Sequence, residues 1–273
     1  MLAPHVDSAD LLPRMQLTAA NSSTIGGLMT SRWLTALPVF NEVRHVNHVL
    51  DEVLRHCREV LVVDDGSTDG TAGLLTGRED VHVVTHEENR GYGSALMSAF
   101  QYAQRNGYEK LVTIDCDGQH EPQRIPLFFD ACEDGVDIVS GSRYLQAFPG
   151  DTPPPAQRRR INEQVTAEIN RRLGLSLTDA FCGFKCYRVE SLKHLHITEP
   201  GYAMPLEVWV QASQAGLKVI ELPVPLIYLD EKRSFGGVLD DAQTRLEYYH
   251  LTLDRSIAAA HAGSSFCAGA ACQ

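Results

Sequence analysis

The stretch Leu111-Val-Thr-Ile-Asp-Cys-Asp-Gly-Gln-His120 joins an apolar, β-branched run to two aspartates, Asp115 and Asp117. A short run that is apolar on both faces is the pattern of a buried parallel strand. Such strands open at their carboxyl ends, where ligands bind. Side chains alternate along an extended chain, so Asp115 and Asp117 are expected to point the same way. Crowded carboxylates repel one another unless a cation lies between them. Hard oxygen ligands suit Mg2+ or Mn2+, which take one or two carboxylates and leave room for phosphates and water. Gln119 offers a neutral oxygen to the same ion. The plainer reading is a polar Asp-Gly turn that ends the strand, and this stretch alone does not separate the two.

Outward from it, strands and helices alternate. Leu34 to Phe40 reads as a first strand, closed by Pro38 and followed by Asn41-Glu42. Val43, Val46, Val49, Leu50, Val53 and Leu54 then recur at helical spacing. Val60 to Val63 is a buried strand ending in Asp64-Asp-Gly-Ser-Thr-Asp-Gly-Thr71, where Ser67 or Thr68 is expected to cap a short helix with Asp69 in its first turn. Val81 to Thr85 is a third strand, and Asn89-Arg-Gly-Tyr-Gly-Ser94 leads into a helix carrying Leu96, Ala99, Phe100 and Ala103. Beyond the Leu111 strand come a helix over Ile125–Cys132, a strand over Asp137–Ser142 and a Pro-rich loop or lid from Gln146 to Pro155. Arg158-Arg-Arg160 opens a helix to about Leu173, and Leu206–Ala215 is another. Val219–Leu229 is strand-like, with Pro223 and Pro225 marking an edge. A polar helix over Leu239–Ile257 precedes an Ala/Gly/Ser segment expected to be unstructured. This rhythm predicts an α/β fold whose mostly parallel central sheet is flanked by helices. No internal repeat is visible.

The chain has 273 residues, 44% hydrophobic and 22% charged, which suits one large globular domain with extensions. We place an N-terminal extension at 1–31, the main domain at 32–230, and a C-terminal loop, helix and tail at 231–273. Met29 is a candidate alternative start. A net charge of −11 argues against broad attraction to nucleic acid or anionic membranes. The seven scattered cysteines do not form a disulfide framework, and Cys182 and Cys186 fit no zinc spacing, so a reducing cytoplasm is expected. No run of about 18 apolar residues exists, so no transmembrane segment is predicted.

Each motif has a plain reading beside the functional one. Asp65 is placed to accept from a base N–H or ribose hydroxyl, or it belongs to a capped turn. Gly91 and Gly93 form a loose phosphate loop or permit close helix packing. His120 orients an acceptor or is a hydrogen-bonded structural group. Trp33 and Trp209 read as core rather than stacking platforms. The arginines at 158–160 lie at the positive end of a helix, an unfavourable placement that points towards an anion partner. Taken together, Glu42, Asp65, Asn89 with Arg90, and Asp115 with Asp117 fall at successive strand ends, which parallel strands gather on one edge.

The set Pro38-Val-Phe-Asn-Glu42, Val63-Asp-Asp-Gly-Ser-Thr-Asp-Gly-Thr71, Asn89-Arg-Gly-Tyr-Gly-Ser-Ala95, Asp115-Cys-Asp-Gly-Gln-His120 and Gly141-Ser-Arg-Tyr144 resembles the family 2 inverting glycosyltransferases of the GT-A fold. Within them it is similar to the dolichol- and polyprenyl-phosphate sugar synthases. The resemblance runs from about Leu34 to Arg188 and is loose after Glu207. It implies a Rossmann-like nucleotide-diphospho-sugar transferase. Pro38, Phe40, Glu42 and Asp65 would hold the nucleoside, and Asp115, Asp117 and Gln119 the metal that clamps the diphosphate. Arg143 would face an acceptor phosphate, with Arg159 or Arg160 as a second cation. Asp179, in Asp179-Ala-Phe-Cys-Gly-Phe-Lys185, would lie near the reaction centre. Asp230-Glu-Lys-Arg-Ser-Phe-Gly-Gly237 resembles a basic loop over the donor, placing Lys232 or Arg233 at the diphosphate; Arg90 is a weaker candidate.

The expected function is metal-dependent transfer, with inversion, from a UDP- or GDP-sugar to a polyprenyl or dolichyl phosphate at the inner face of a membrane. Two departures bear on the acceptor. Asn162 stands where the branch has a serine, and the C-terminal membrane segments of many members are absent. The alternative is a soluble enzyme acting on a hydroxyl acceptor with Asp179 as general base. A non-catalytic sugar-nucleotide-binding domain ranks lower. A nucleotidyltransferase ranks lower still, because Asn41-Glu-Val-Arg-His45 is no triphosphate loop.

Overall fold

In the computed structural model, residues 32–229 and 236–270 are described, with side chains through 262. The strands are β1 (Trp33–Val39), β2 (Val60–Asp64), β3 (His82–Thr85), β4 (Lys110–Thr113), β5 (Ile138–Ser142), β6 (Lys185–Arg188) and β7 (Val219–Pro223). They form one seven-stranded sheet in the order β3-β2-β1-β4-β6-β5-β7. All neighbours pair in parallel except β6, which runs antiparallel to both β4 and β5. The helices are α1 (Val46–Leu54), α2 (Thr71–Thr76), α3 (Tyr92–Arg105), α4 (Ile125–Ala131), α5 (Ala156–Leu173), α6 (Met204–Gln214) and α7 (Ala242–Ala270).

Strand alternation splits the core into two layers, one on each sheet face. Leu34, Ala36, Leu61, Val63 and Leu111 join α3, α5, α6 and α7 on one side. Leu37, Val39, Val60, Val62, Val112 and Ile114 join α1 and α4 on the other. Each fully buried aliphatic side chain adds about 1.5–3 kcal/mol. These layers hold the strand ends rigid, which a site assembled on their rim requires.

Pro38 lies inside a central strand, which proline normally avoids. The pairing explains it. Thr35 donates to Glu59 and Val39 accepts from Asp65 on the β2 side, while Ala36 accepts from Ile114 on the β4 side. Pro38 shares the parity of Ala36, so its missing N–H faces the β4 side just past the last ladder bond. Proline here ends the β1–β4 ladder.

Several sequence expectations are corrected. β6 was not anticipated. Helix α2 is capped by Gly70 at φ 102°, not by Ser67 or Thr68. Ser67 and Thr68 instead bind the turn after β1, and Asp69 accepts from the N–H and hydroxyl of Thr71. Trp209 is fully buried, but Trp33 is 36% exposed and stacks on Phe129 with centroids 4.9 Å apart. The Ala/Gly/Ser segment continues α7 to Ala270, as its alanines favour. The expected extension 1–31 and loop residues Lys232 and Arg233 lie outside the described residues.

Candidate active site

The order β3-β2-β1-β4 sets four parallel carboxyl ends side by side. The turns after β1 and β2 are stitched together: Asn41, at φ 57°, receives Thr68 N–H on its side chain at 2.8 Å and donates its own N–H to Ser67 Oγ at 2.9 Å. The Val43 N–H donates to Asp69 at 3.1 Å. This fixes Phe40, 42% exposed, at the rim, with Pro38 half-buried and Glu42 buried beside it.

Asp65 behaves differently from its expected nucleoside contact. It is 2% exposed and its carboxylate turns inward. One oxygen meets His86 Nδ1 at 2.6 Å and accepts from Arg90 N–H at 2.9 Å, and the other accepts from Gly91 N–H at 2.8 Å. His86 Nε2 continues the chain to Ser98 Oγ at 2.8 Å. Asp65 therefore pins the 90–91 loop and presents no open edge to a ligand. His86 and Ser98 carried no spacing signal in the sequence.

Asp115 and Asp117 lie just beyond the last residue of β4, in a turn rather than on the strand. Asp115 is 29% exposed and accepts from Tyr92 Oη at 3.0 Å, with His120 Nε2 at 3.5 Å on its other oxygen. Burial, then the Asp115 charge, raise the Tyr92 phenol well above its usual range, so it stays a donor. Asp117 accepts from Gln119 N–H at 2.9 Å around Gly118, whose φ is 74°. His120 is 94% buried by its 6% exposure, packs edge-on to Phe184, and leaves Nδ1 without a partner among the described residues. Gly183 explains how Asp115 fits: a Cβ there would lie 2.2 Å from the carboxylate.

No group of three or more His, Cys, Asp or Glu residues could cage an ion among the described residues. A paired-aspartate site does not need one, because Mg2+ and Mn2+ fill their shell from one or two carboxylates plus phosphates and water. The hard oxygens of Asp115, Asp117 and Gln119 at an open rim fit such an ion.

Beyond β5, Arg143 and Asp179 form the best-defined cluster. Asp179 is fully buried. Arg143 Nε and Nη2 donate to its two oxygens at 2.6 and 2.9 Å, and Arg143 N–H adds a bond at 3.2 Å. Asn162 Nδ2 and Phe181 N–H also donate to Asp179, at 2.9 and 3.2 Å. Burial pushes the Asp179 carboxyl up, but the Arg143 guanidinium and these bonds outweigh it and hold the group well below its usual range. The general-base reading of Asp179 is thereby corrected: its oxygens are occupied and its proton affinity is too low. Arg143 keeps 23% of its side chain exposed, and its Nη1 has no partner among the described residues.

Two guanidinium groups lie over the Tyr144 ring, Arg159 Cζ 3.8 Å and Arg143 Cζ 5.7 Å from its centroid. Arg159 is also paired with Glu163 at 2.5 Å. Arg160 is exposed, one position round the helix from the face shared by Arg159, Asn162 and Thr166. The structure thus brings Arg143 and Arg159 together and leaves Arg160 apart. The sequence pattern marks Tyr144 only as a neighbour of Arg143.

Comparison with known proteins gives a consistent result. The profile described as "Glycosyl transferase family 2" matches residues 35–195, more than half of the chain. Polyprenol monophosphomannose synthase of Mycolicibacterium smegmatis is 33% identical over 207 residues, covering 71% of this chain and 77% of its own. Undecaprenyl-phosphate mannosyltransferase of Micrococcus luteus is 31% identical, covering 77% and 90%. Among solved structures, glucosyl-3-phosphoglycerate synthase of Mycobacterium tuberculosis with UDP superposes with a TM-score of 0.62 at 19% identity, over 84% of this chain and 80% of that one. The same enzyme with Mn2+, UDP and glucosyl-3-phosphoglycerate gives 0.61 at 18% identity, over 84% and 80%. These neighbours share the GT-A fold.

Proposed function

Because the chain belongs to glycosyl transferase family 2 and is a glycosyltransferase, we propose that it moves a sugar from a nucleotide-diphospho-sugar to a polyprenyl phosphate, with inversion. The acceptor class follows the printed activities of the two relatives. The observation that carries it is the Arg143–Asp179 clamp. A hydroxyl acceptor needs a base, and Asp179 is unfit for that work. A phosphate monoester, with its second pKa near 6, is already a dianionic nucleophile and needs guiding cations instead. Arg143 Nη1 and Arg159, both over the Tyr144 ring, supply them.

On the donor side, Pro38, Phe40 and Glu42 line the nucleoside end. Asp65 contributes by shaping the 90–91 loop. Asp115, Asp117 and Gln119 would hold a divalent ion, which when bound stabilises charge on the departing diphosphate. Tyr92 and Gly183 fix where the Asp115 carboxylate sits. Substitution at the anomeric carbon then proceeds by positioning: the acceptor phosphate is held at the arginines, in line with the leaving group. No helix of the described residues is long and apolar enough to cross a membrane.

The test uses the full chain with UDP- and GDP-sugars and Mg2+ or Mn2+. Transfer to a polyprenyl phosphate, absent with the matching polyprenol and abolished by EDTA, is expected. Efficient transfer to the free alcohol would refute the reading.

A further inference from the structure

The residue that departs from the family pattern, Asn162, sits on the buried side of α5 and is 7% exposed. Its Nδ2 donates to Asp179 Oδ1 at 2.9 Å, and its Oδ1 accepts from Thr166 Oγ1 at 2.9 Å. Thr166 Oγ1 in turn accepts from the Ala180 N–H at 3.2 Å. The hydroxyl proton of Thr166 is thus committed to the Asn162 carbonyl, which leaves the amide N–H2 facing Asp179 and fixes which way the side chain is flipped.

We propose that Asn162 is a positioning residue: it locks the rotation of the Asp179 carboxylate, which aims Arg143 at the acceptor phosphate. The geometry is specific. Nε and Nη2 of Arg143 bind Asp179 side by side, so the plane of the carboxylate sets the plane of the guanidinium and the direction of its remaining Nη1. Glu221 braces the same segment by accepting from the N–H groups of Thr178 and Asp179. Backbone and side chain of Asp179 are therefore fixed from different elements, β7 and α5. The Phe181 and Arg143 N–H groups also reach the carboxylate, at 3.2 Å each, but Asn162 gives it the shorter bond, at 2.9 Å, and the one side-chain restraint besides Arg143 itself.

The proposal rests on Arg143 meeting the acceptor, so the experiment separates the two ideas. Purified full-length chains are assayed with GDP-mannose or UDP-glucose, whichever supports turnover, and farnesyl phosphate in detergent. Donor and acceptor KM, kcat and thermal midpoint are recorded for Arg143→Ala, Asn162→Leu, Asn162→Asp and Thr166→Val. Asn162→Leu and Asn162→Asp are expected to raise the acceptor KM by about tenfold or more, as loss of a hydrogen bond to a buried charge would. The donor KM should stay within about twofold. Thr166→Val, which keeps the amide but frees its flip, should give a smaller shift of the same kind and stands in if the Asn162 variants fold poorly. An acceptor KM unchanged in all three variants while Arg143→Ala loses activity overturns the role of Asn162 alone. Equal losses for donor and acceptor also overturn it, since a merely structural residue behaves so. An Arg143→Ala variant with a normal acceptor KM overturns the acceptor site itself.

Discussion

At the residue scale, Gly183 carries an unusual demand. Its hydrogen is the only side chain that leaves room for the Asp115 carboxylate, because a methyl group would lie 2.2 Å from an oxygen. Gly183→Ala should displace that carboxylate and cost about 100-fold in turnover, as misplacing a reacting group by about 1 Å does. Comparing kcat with the thermal midpoint checks it, and a large loss of both together would point to unfolding instead. The buried Asp179 allows a second prediction. Its carboxyl is held below the ordinary value, so its ion pair is complete above the unfolded-state pKa of about 3.9 and is lost only as pH falls through the lower folded value. Between pH 5 and 9 it contributes no change. The acid limb of kcat/KM for the acceptor should therefore fall near pH 6, where a phosphate monoester loses its dianion. A profile flat to pH 4.5 would contradict the dianionic phosphate acceptor, while leaving the low proton affinity of Asp179 intact.

Among the elements, the turn after β2 binds the donor rim together. Gly66 has φ 72°, and a Cβ there would meet the Glu88 carbonyl carbon at 2.4 Å. Gly66→Ala should cost at least about 2 kcal/mol, or about 4–8 °C in a domain of this size, measured by thermal unfolding. The parallel strands and the helices between them were legible because each apolar run is continuous and each turn is marked by Gly, Asp or Pro. The gathering of Glu42, Asp65, Asn89 and Asp115 on one edge followed from that parallelism alone. β6 was not legible: Lys185-Cys-Tyr-Arg188 is short, and its burial depends on β4 and β5 closing around it. The roles of His86, Tyr92 and Thr166 were hidden for another reason. Each works through a hydrogen bond to a distant segment, and no sequence period encodes such a contact. Asp65 shows the converse error, since a polar residue at a strand end reads the same whether it faces a ligand or a loop.

For the molecule as a whole, α7 is tied through Glu199 to the loop that packs on the start of α3. That buried carboxylate accepts from Tyr248 Oη, from Arg255 at 2.6 Å and from the Gly201 N–H at 3.0 Å. The same loop lies against the start of α3, where a Cβ at Gly93 would meet the Glu199 carbonyl at 2.3 Å. Glu199→Gln should therefore loosen more than the C-terminal helix. A loss of about 1–3 kcal/mol is expected, with faster proteolysis after residue 240 and a weaker hold on Asp115 through Tyr92. Unchanged protease resistance would argue against the coupling. The antiparallel β6 has a wider consequence. Asp179 and Gly183 belong to the segment that feeds it, and under the proposed function one sets the arginine assigned to the acceptor while the other admits the aspartate assigned to the donor. A redesign that seeks a new nucleotide can work on the β1–β3 turns by themselves, but any edit to this shared hinge pin would retune both substrates at once.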